Sequence, residues 1–238
     1  SLIDDLFVPQ DYEPKDYSWV ENRNRKSEFD TQLEPLQNSR LINSKDEIIG
    51  MMNTSLGYWK DSNQARVARH ELINSANRPN LANNLRPDWH DPDGSILNEI
   101  NVQFMTKLSH SADSQRQRHR TTNSAVEPIQ KHYAGDEDFA IPRVVRENEV
   151  LNERYGELMS RQYGLVKQAL EEGIDRESAL LLIPNAQNIR LIENGSLLGF
   201  HHRTIQRLCH LAQEEISYLT WEQASQLNEI FDEFKPFH

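Results

Sequence analysis

A short basic run is the part of this sequence whose residue types and spacing are best suited to chemistry. Arg118, His119 and Arg120 are consecutive, and Arg116 lies two positions before them. The chain as a whole has a formal net charge of -11, so a local concentration of cations needs an anionic partner. Guanidinium groups bind phosphate oxygens in pairs, through parallel hydrogen bonds. The run therefore predicts a site for the phosphates of a nucleotide or a dinucleotide.

The composition argues against several classes of protein. A net charge of -11 is unlike the basic footprint of a general nucleic-acid binder, and a nucleic-acid-binding module that uses the run from Arg116 to Arg120 is only a minor alternative. The single cysteine, Cys209, cannot build a disulfide framework and indicates a reducing compartment. We find no apolar run long enough to span a bilayer and no signal peptide, and we expect a cytoplasmic protein without a membrane partner.

A second cluster of residue types raises the question of a metal. It consists of His201, His202, Cys209 and His210. Zinc sites in proteins repeat their ligands at paired spacings such as C-x-x-C or H-x-x-x-H, and this cluster has neither spacing. The sequence therefore predicts no metal.

The positions of proline and glycine, together with hydrophobic periodicity, divide the chain into two regions. Residues 1–94 are an N-terminal arm and helical extension, and residues 95–238 are the main domain. Residues 1 to about 43 show no sustained period and are expected to be irregular. Capping boxes begin helices at Ser44 and Thr220, and Gly173 ends the clearest helix. The predicted helices cover residues 44–59, 64–75, 149–172, 176–182, 197–219 and 220–234. The predicted strands cover residues 95–108 and 189–192, with a loop over residues 77–95 and a turn at Asn194–Gly195.

Other residues have simpler structural interpretations. The acidic triplet Asp136–Asp138 is expected to be a solvated loop. Arg203 and Arg207 lie four apart on one helical face, where they either pair with carboxylates in solvent or point into a phosphate site. Four large side chains, those of Tyr155, Met159, Tyr163 and Trp221, are expected in the core.

Four segments in the same order resemble the flavin-dependent thymidylate synthases. Residues 115–120, QRQRHR, resemble the core of that family's signature, in which a glutamine lies three positions before R-H-R. Residues 95–104, SILNEINVQF, are similar to a strand of the family that carries a glutamate and a phenylalanine. Residues 177–184, ESALLLIP, resemble its E-x-A-R-x-x-L-P segment, and residues 207–216, RLCHLAQEEI, resemble its closing R-x-x-x-x-A-Q-x-E-I helix. An ordered match of four segments is more specific than any one of them.

This resemblance implies a fold, cofactors and a site. The implied fold is an α+β domain with a central antiparallel sheet flanked by long helices. The implied assembly is a homo-oligomer, specifically a tetramer, or an association with an active paralogue. The implied reaction methylates C5 of dUMP or a related pyrimidine nucleotide, with FAD as hydride carrier and NADPH and methylenetetrahydrofolate as co-substrates. The implied FAD-binding residues are Glu99, Arg118, His119 and Arg120, and the implied nucleotide-binding residues are Gln115, His132, Tyr133 and Arg207.

The chain also departs from the family pattern after Arg120. Counted without gaps, the signature positions for Ser, Asn, Ser, Arg and Tyr hold Asn123, Ala125, Pro128, Gln130 and Lys131. A two-residue insertion brings Tyr133 into place, with His132 where the arginine is expected. Leu180 stands where the E-x-A-R-x-x-L-P segment has its arginine. These losses support a second hypothesis, in which the chain is a catalytically degenerate family member that acts as a structural or regulatory subunit.

Overall fold

The computed structural model describes residues 19–59, 97–208 and 212–230, which form helices around one antiparallel sheet. The helices are α1 (Trp19–Asp30), α2 (Lys45–Trp59), α3 (His110–Arg116), α4 (Ile129–His132), α5 (Arg143–Arg146), α6 (Glu149–Glu171), α7 (Arg176–Leu180), α8 (Leu197–Arg207) and α9 (Glu214–Ile230). The strands are β1 (Ser39–Leu41), β2 (Asn101–Ser109), β3 (Thr122–Val126) and β4 (Asn188–Ser196).

The sheet has the strand order β1-β2-β4-β3, and every neighbouring pair is antiparallel. The two central strands pair along their whole length, from Asn101 opposite Ser196 to Ser109 opposite Asn188. Long helices, among them α6 and α9, flank this sheet. The predicted α+β class with a central antiparallel sheet is therefore confirmed.

The first face of the sheet is apolar and carries most of the core. Alternate residues of a strand point to one face, so Phe104, Thr106 and Leu108 of β2 share this face with Leu191 and Glu193 of β4. Helices α2, α8 and α9 cover its one end, and α3 and α9 cover the other. The buried side chains at the two ends form two apolar clusters. The first consists of Ile48, Met52, Leu97, Ile100, Val102, Phe104, Leu197, Leu198, Phe200, Leu227 and Ile230. The second consists of Leu108, Ala112, Ile189, Leu191, Ile216 and Leu219.

The second face of the sheet is held by ion pairs. Arg190 of β4 donates to both carboxylate oxygens of Asp30, at 2.8 and 2.6 Å, and to Asp138 at 2.7 Å. Burial by itself would raise the pKa of the Asp138 carboxyl, but Arg190 and Lys26 hold that pKa below its ordinary value. Helix α1 is docked on the sheet through these contacts. A third apolar cluster, of Tyr133, Tyr163, Val166 and Leu180 with Trp19, joins α1, α6 and α7.

Several predicted elements are confirmed with small shifts of their ends. The capping box at Ser44 is present, since Ser44 N donates to Glu47 Oε2 at 2.7 Å and Glu47 N donates to Ser44 Oγ at 3.3 Å. Helix α6 follows the predicted helix 149–172 closely, and Gly173 after it has a φ of 82°, as a helix-ending glycine requires. The predicted helix 64–75, the loop 77–95 and residues 231–234 lie outside the described residues.

Other sequence predictions are wrong. Residues 1 to about 43 were expected to be irregular, but α1 and β1 lie in this region, and β1 pairs with β2 in the central sheet. The acidic triplet is not simply solvated, because Asp138 pairs with buried Arg190. Trp221 is not in the core, since 60% of its surface is exposed.

Two predicted element boundaries are also wrong, because contacts with residues far away in the chain decide them. The predicted turn at Asn194–Gly195 lies inside β4, because both residues pair with β2 and β3. The predicted helix 197–219 is broken, since α8 ends at Arg207 and α9 begins at Glu214. The expected helix start at Thr220 therefore lies within α9, where Thr220 is buried.

Candidate anion-binding site

The basic run lies on a double turn between α3 and β3. The backbone N–H of His119 donates to Arg116 O at 3.0 Å, and the N–H of Thr122 donates to His119 O at 3.3 Å. These bonds turn the chain twice between Arg116 and Thr122. As a result His119 is buried, with 6% of its surface exposed, while Arg118 and Arg120 on either side are exposed.

The end of this turn is packed tightly against β4 and α8. A Cβ atom on Gly195 would lie 2.9 Å from the Thr122 side chain, and one on Gly199 would lie 2.9 Å from the backbone oxygen of Thr121. Only glycine allows the chain to approach so closely at these two positions. The run is therefore fixed to the sheet by its own backbone, immediately after Arg120.

The start of α3 is fixed as firmly. Ser109, the N-cap of α3, accepts from the Ala112 N–H, and its own N–H and hydroxyl each donate to the Glu215 carboxylate at 2.6 Å. The far end of the same helix reaches α9 through Gln115, whose Oε1 accepts from the Gln213 N–H at 3.2 Å. Contacts with Glu215 and with Gln213, the residue directly before α9, thus place the helix that precedes the basic run.

His119 and Arg207 form the centre of the site. Nε of Arg207 donates to Nε2 of His119, and Nη2 of Arg207 also reaches Gln115 O at 3.4 Å. The structure thus brings together three of the predicted residues, Gln115, His119 and Arg207. Of the two interpretations of Arg207, the structure supports a position beside the basic run over pairing with carboxylates in solvent.

The electrostatics of His119 follow from this geometry. Burial lowers the pKa of the imidazole, and the nearby cations Arg207 and Arg203 lower it further, to about 4. The ring is neutral at physiological pH, and because Nε2 accepts from Arg207, its proton is on Nδ1. His119 therefore orients the Arg207 guanidinium without adding a positive charge of its own.

Arg118 and Arg120 flank His119 in the sequence and are exposed, and Arg207, which contacts His119, is half-buried. Within residues 19–59, 97–208 and 212–230, no carboxylate pairs with Arg118, Arg120 or Arg207. The pKa of Arg207 is lowered by its burial and then by the neighbouring charges of Arg118 and Arg203, so the cations repel one another. Charge-assisted, two-pronged bonds from arginine suit phosphate oxygens, and an anion here would relieve the repulsion.

Arg116 does not belong to this exposed surface. It is 2% exposed, its Nε donates to Asp113 Oδ1 at 2.7 Å, and its Nη1 lies 3.4 Å from Glu193 Oε1. Arg203 reaches the same Glu193 oxygen at 2.7 Å. Sequence reasoning missed this buried cluster, although a glutamate within an apolar strand and the i, i+3 spacing of Asp113 and Arg116 were visible signals.

The other predicted site residues lie elsewhere. Glu99 is on a helical turn over residues 97–99 rather than on the expected strand, and its side chain is exposed near the end of the sheet where β3 begins. His132 and Tyr133 are buried on the opposite face. Nε2 of His132 contacts Glu127 O at 3.0 Å, its Nδ1 accepts from the Arg190 N–H at 3.3 Å, and Tyr133 packs against Trp19. The assignment of these three residues to ligands stays a prediction.

The substituted signature positions have their own surroundings. Asn123 and Ala125 are exposed on the edge strand β3. Leu180 is 4% exposed and belongs to the cluster of Tyr133 and Tyr163. A buried leucine in an apolar cluster offers no hydrogen-bond donor to a nucleotide. The donor that an arginine of the E-x-A-R-x-x-L-P segment would provide is therefore absent at this position.

The question of a metal or a membrane has a limited answer. Among the described residues, no three His, Cys, Asp or Glu side chains converge as a metal ion would require, and Cys209 and His210 lie outside those residues. None of the helices in the described ranges combines the length and the apolar character that crossing a bilayer demands.

Comparison with known proteins gives a consistent result. A family model described as thymidylate synthase complementing protein matches residues 40–232. A protein of Pyrococcus furiosus named flavin-dependent thymidylate synthase is 27% identical over 139 residues, which is 56% of this chain and 57% of that protein. Proteins with the same name from Pyrococcus abyssi and Thermococcus kodakarensis are 28% identical over 92 residues and 26% identical over 147 residues. The matches cover 39% and 60% of this chain, and 38% and 60% of those two proteins. The chain thus spans between about two fifths and three fifths of the length of these relatives.

Proposed function

Since this chain belongs to the thymidylate synthase complementing protein family, we propose that it methylates C5 of dUMP or of a related pyrimidine nucleotide. The proposed carbon donor is methylenetetrahydrofolate, and the proposed hydride carrier is FAD reduced by NADPH. The observation that carries the proposal is the group of three guanidiniums, from Arg118, Arg120 and Arg207, that no described carboxylate neutralises. A chain with a net charge of -11 has many carboxylates, so an unpaired cationic group is a feature that a bound anion explains.

The residues present fit the phosphates of a dinucleotide. Arg118 and Arg120 flank buried His119 in the sequence and both are exposed, so both are available to donate paired hydrogen bonds to a pyrophosphate. We assign them, with His119 and Glu99, to FAD. When bound there, the flavin supplies the hydride that the methylation requires.

Arg207 and Gln115 are assigned to the nucleotide phosphate. Nε of Arg207 is engaged by neutral His119, which leaves the outer edge of the guanidinium for an anion. Gln115 Oε1 accepts from the Gln213 N–H and fixes the side chain beside Arg207. His132 and Tyr133, which the resemblance also implies for the nucleotide, lie buried on the opposite face of the sheet and do not join this group within one chain.

The chain's own residues have a binding and orienting task in this proposal. Guanidinium groups that are fixed before the ligand arrives stabilise negative charge without reorganisation at the moment of reaction. His119 keeps its proton on Nδ1 and so maintains Arg207 in one orientation. The side chains of this protein therefore bind and orient the ligands, and the bonds that break and form belong to the ligands.

A second function is supported by a different observation. Leu180 is buried in an apolar cluster, and Asn123 and Ala125 replace a serine and an asparagine of the signature. A chain that retains the phosphate-binding cations and lacks these polar groups would bind nucleotides without turning them over. In this alternative it is a structural or regulatory subunit beside an active paralogue.

Two measurements on the purified chain separate these functions. The first is the visible absorbance of flavin retained after incubation with FAD and gel filtration, and the second is thymidylate formed from dUMP, methylenetetrahydrofolate and NADPH, followed by mass spectrometry. Flavin retention with product supports the proposed enzyme. Flavin retention without product supports the regulatory alternative, and a chain that takes up no flavin contradicts the proposed enzyme.

A further inference from the structure

Glu193 is a carboxylate in the middle of an apolar strand. It is 0% exposed, lies opposite Phe104 across the β2–β4 pair, and shares its face of the sheet with Leu191. An isolated carboxylate at such a position is strongly unfavourable, because burial removes its water without replacement. Burial by itself would raise the pKa of Glu193, but Arg203 and Arg116 keep that pKa below its ordinary value. The side chain is therefore an ion held in place by protein partners.

The two oxygens of Glu193 have different partners. Oε1 faces both cations, with Arg203 Nη1 at 2.7 Å and Arg116 Nη1 at 3.4 Å. Oε2 accepts from Gln223 Nε2 at 2.7 Å and from Thr106 Oγ1 at 3.2 Å. One oxygen thus joins the two arginines, and the other is fixed to β2 and α9.

The buried cluster is neutral as a unit. Asp113 and Glu193 provide two negative charges, and Arg116 and Arg203 provide two positive ones. Removal of the Glu193 charge would leave one uncompensated cation in the interior, directly behind a surface that already holds three unpaired cations. The relaxation of that excess charge would have to move the arginines, and these belong to the elements that carry the site.

The two arginines come from the two elements that form the anion site. Arg116 ends α3, directly after Gln115 and three residues before His119. Arg203 lies one helical turn before Arg207 on α8. A single carboxylate on β4 therefore connects the segment that carries His119 with the helix that carries Arg207, and those two side chains meet at the surface.

The cluster is not built for stability alone. Buried ion pairs can often be replaced by apolar residues without loss of stability. In addition, Nε of Arg203 is buried without a hydrogen-bond partner in the described part of the chain, which is an unfavourable arrangement. Such a cluster needs a reason other than stability.

We infer that Glu193 is a positioning residue of the anion site, because its carboxylate fixes Arg116 and Arg203 and through them the register between His119 and Arg207. The inference rests on the proposed function for the identity of the ligand, but not for the contacts between these side chains. Glu193 itself does not touch the ligand in this account.

The test is the variant Glu193→Gln, examined first without any ligand. Two signals report the register: the solvent exchange rate of the Arg207 Nε–H proton and the nitrogen shifts of the His119 ring, both measured by NMR. We expect Arg207 Nε–H exchange to rise at least tenfold and the His119 shifts to lose the signature of an Nε2 acceptor. The affinity for dUMP, measured by calorimetry, is expected to fall at least tenfold.

A matched control separates this effect from a general loss of stability. Asp138→Asn changes a carboxylate to an amide beside Arg190, in the ion-pair cluster on the opposite face of the sheet. It should lower the melting temperature and leave both NMR signals of the His119–Arg207 pair as in the wild type. If Asp138→Asn shifts those signals as much as Glu193→Gln does, the positioning role is refuted.

The remaining outcomes are also decisive. A folded Glu193→Gln chain with wild-type Arg207 exchange and His119 shifts would overturn the inference. If Glu193→Gln does not fold, the double variant Glu193→Gln, Arg203→Gln restores a neutral interior and gives the same two readouts, again with loss of the register expected. If the wild type binds neither FAD nor dUMP, the proposed function fails, while the NMR signals still decide on Glu193.

Discussion

At the scale of single residues, the site depends on one neutral histidine. His119 accepts from Arg207 Nε and so directs a guanidinium that has no described carboxylate partner. Histidine and arginine here act as one unit, in which the histidine contributes orientation and the arginine contributes charge. The orienting role of His119 leads to one prediction, and the neutral, buried state of the histidines leads to another.

Replacement of His119 by alanine should weaken nucleotide binding more than it weakens the fold. The loss of one fixed hydrogen bond to a charged donor corresponds to roughly 1.5 kcal/mol, or about a tenfold weaker dUMP affinity in a calorimetric titration. His110→Ala, an exposed histidine at the start of α3, is the matched control and should leave the affinity within about twofold. A His119→Ala chain with unchanged dUMP affinity would show that the histidine does not orient Arg207.

The buried histidines also predict how stability depends on pH. Burial lowers the pKa of His132 to about 4, compared with an ordinary value of 6.5 in the unfolded chain. The unfolded state therefore binds the proton more readily, so the stability is complete above pH 6.5 and declines as the pH falls towards 4. For His132 alone the free energy of unfolding should fall by about 2 kcal/mol between pH 7.5 and pH 5.

Urea unfolding at a series of pH values measures this decline. His119 and His201 have pKa values lowered to about 4 as well, chiefly by burial, and should add to the slope in the same direction. A His132→Gln variant should show a slope smaller by about one proton. Equal stability at pH 7.5 and pH 5 would contradict the buried, neutral state of these rings.

Residue types predicted part of the site, and the physical reason for the rest is distance along the chain. Arg118, His119, Arg120 and Arg207 could be selected because their types suit phosphate. Arg116 was grouped with them by sequence, although its partner Glu193 lies 77 residues away and draws it into the interior. The i, i+3 spacing of Asp113 and Arg116 was visible in the sequence, but it does not by itself show burial, because the second compensating charge comes from a distant strand.

At the scale of elements, the site is fixed by a close contact between the basic turn and α8. Gly199→Ala would place a Cβ 2.9 Å from the backbone oxygen of Thr121, which cannot rotate away. The turn that carries Arg118 and Arg120 must then shift. We expect a loss of about 1–2 kcal/mol in stability, similar to other overpacked sites, and several-fold weaker FAD binding in a fluorescence titration.

The control for this variant is Gly164→Ala on α6. A Cβ on Gly164 meets nothing within 4 Å, so this change should raise stability by up to about 1 kcal/mol through helix propensity alone, with FAD binding unchanged. If Gly199→Ala behaves like Gly164→Ala in both measurements, the close contact does not hold the turn.

Elements with a strong local signal were predicted well, and elements that depend on distant partners were not. Helix α6 has a sustained period, an Asn148 cap that accepts from Leu151 N, and a final glycine, so its limits follow from sequence. The break between α8 and α9 has no such signal. The start of α9 is set by Glu215, whose carboxylate binds Ser109 more than a hundred residues earlier.

At the scale of the whole molecule, the two faces of the sheet are held by different interactions. One face carries the apolar core and, at its edge, the anion site, while the other face is fixed by Arg190 and its aspartates. The segment before residue 95 contributes β1 and α2 to the same sheet and core. The class of fold could be stated from the resemblance and α2 from its capping box, but β1 could not be predicted, because a three-residue strand has no detectable alternation.

The assembly of the protein is a prediction at this scale. We expect a homo-oligomer, such as a tetramer, or a complex with a paralogue, because the FAD and nucleotide sites of this kind of enzyme are expected to be shared between subunits. Light scattering at micromolar concentration should give a mass well above that of one chain. A monomeric mass, with full flavin uptake, would contradict a shared site.

The central claim is that the exposed arginines of the basic turn bind the flavin phosphates, and an FAD titration of single variants tests it most directly. Arg118→Ala and Arg120→Ala should each weaken FAD binding by about tenfold to a hundredfold, since each removes charge-assisted bonds worth roughly 1.5–3 kcal/mol. Arg161→Ala, an exposed arginine on α6, removes the same charge at a distance and should change the affinity by less than about twofold. Equal, small losses in all three variants would show that only net charge matters, and would contradict the assignment of this turn to the flavin.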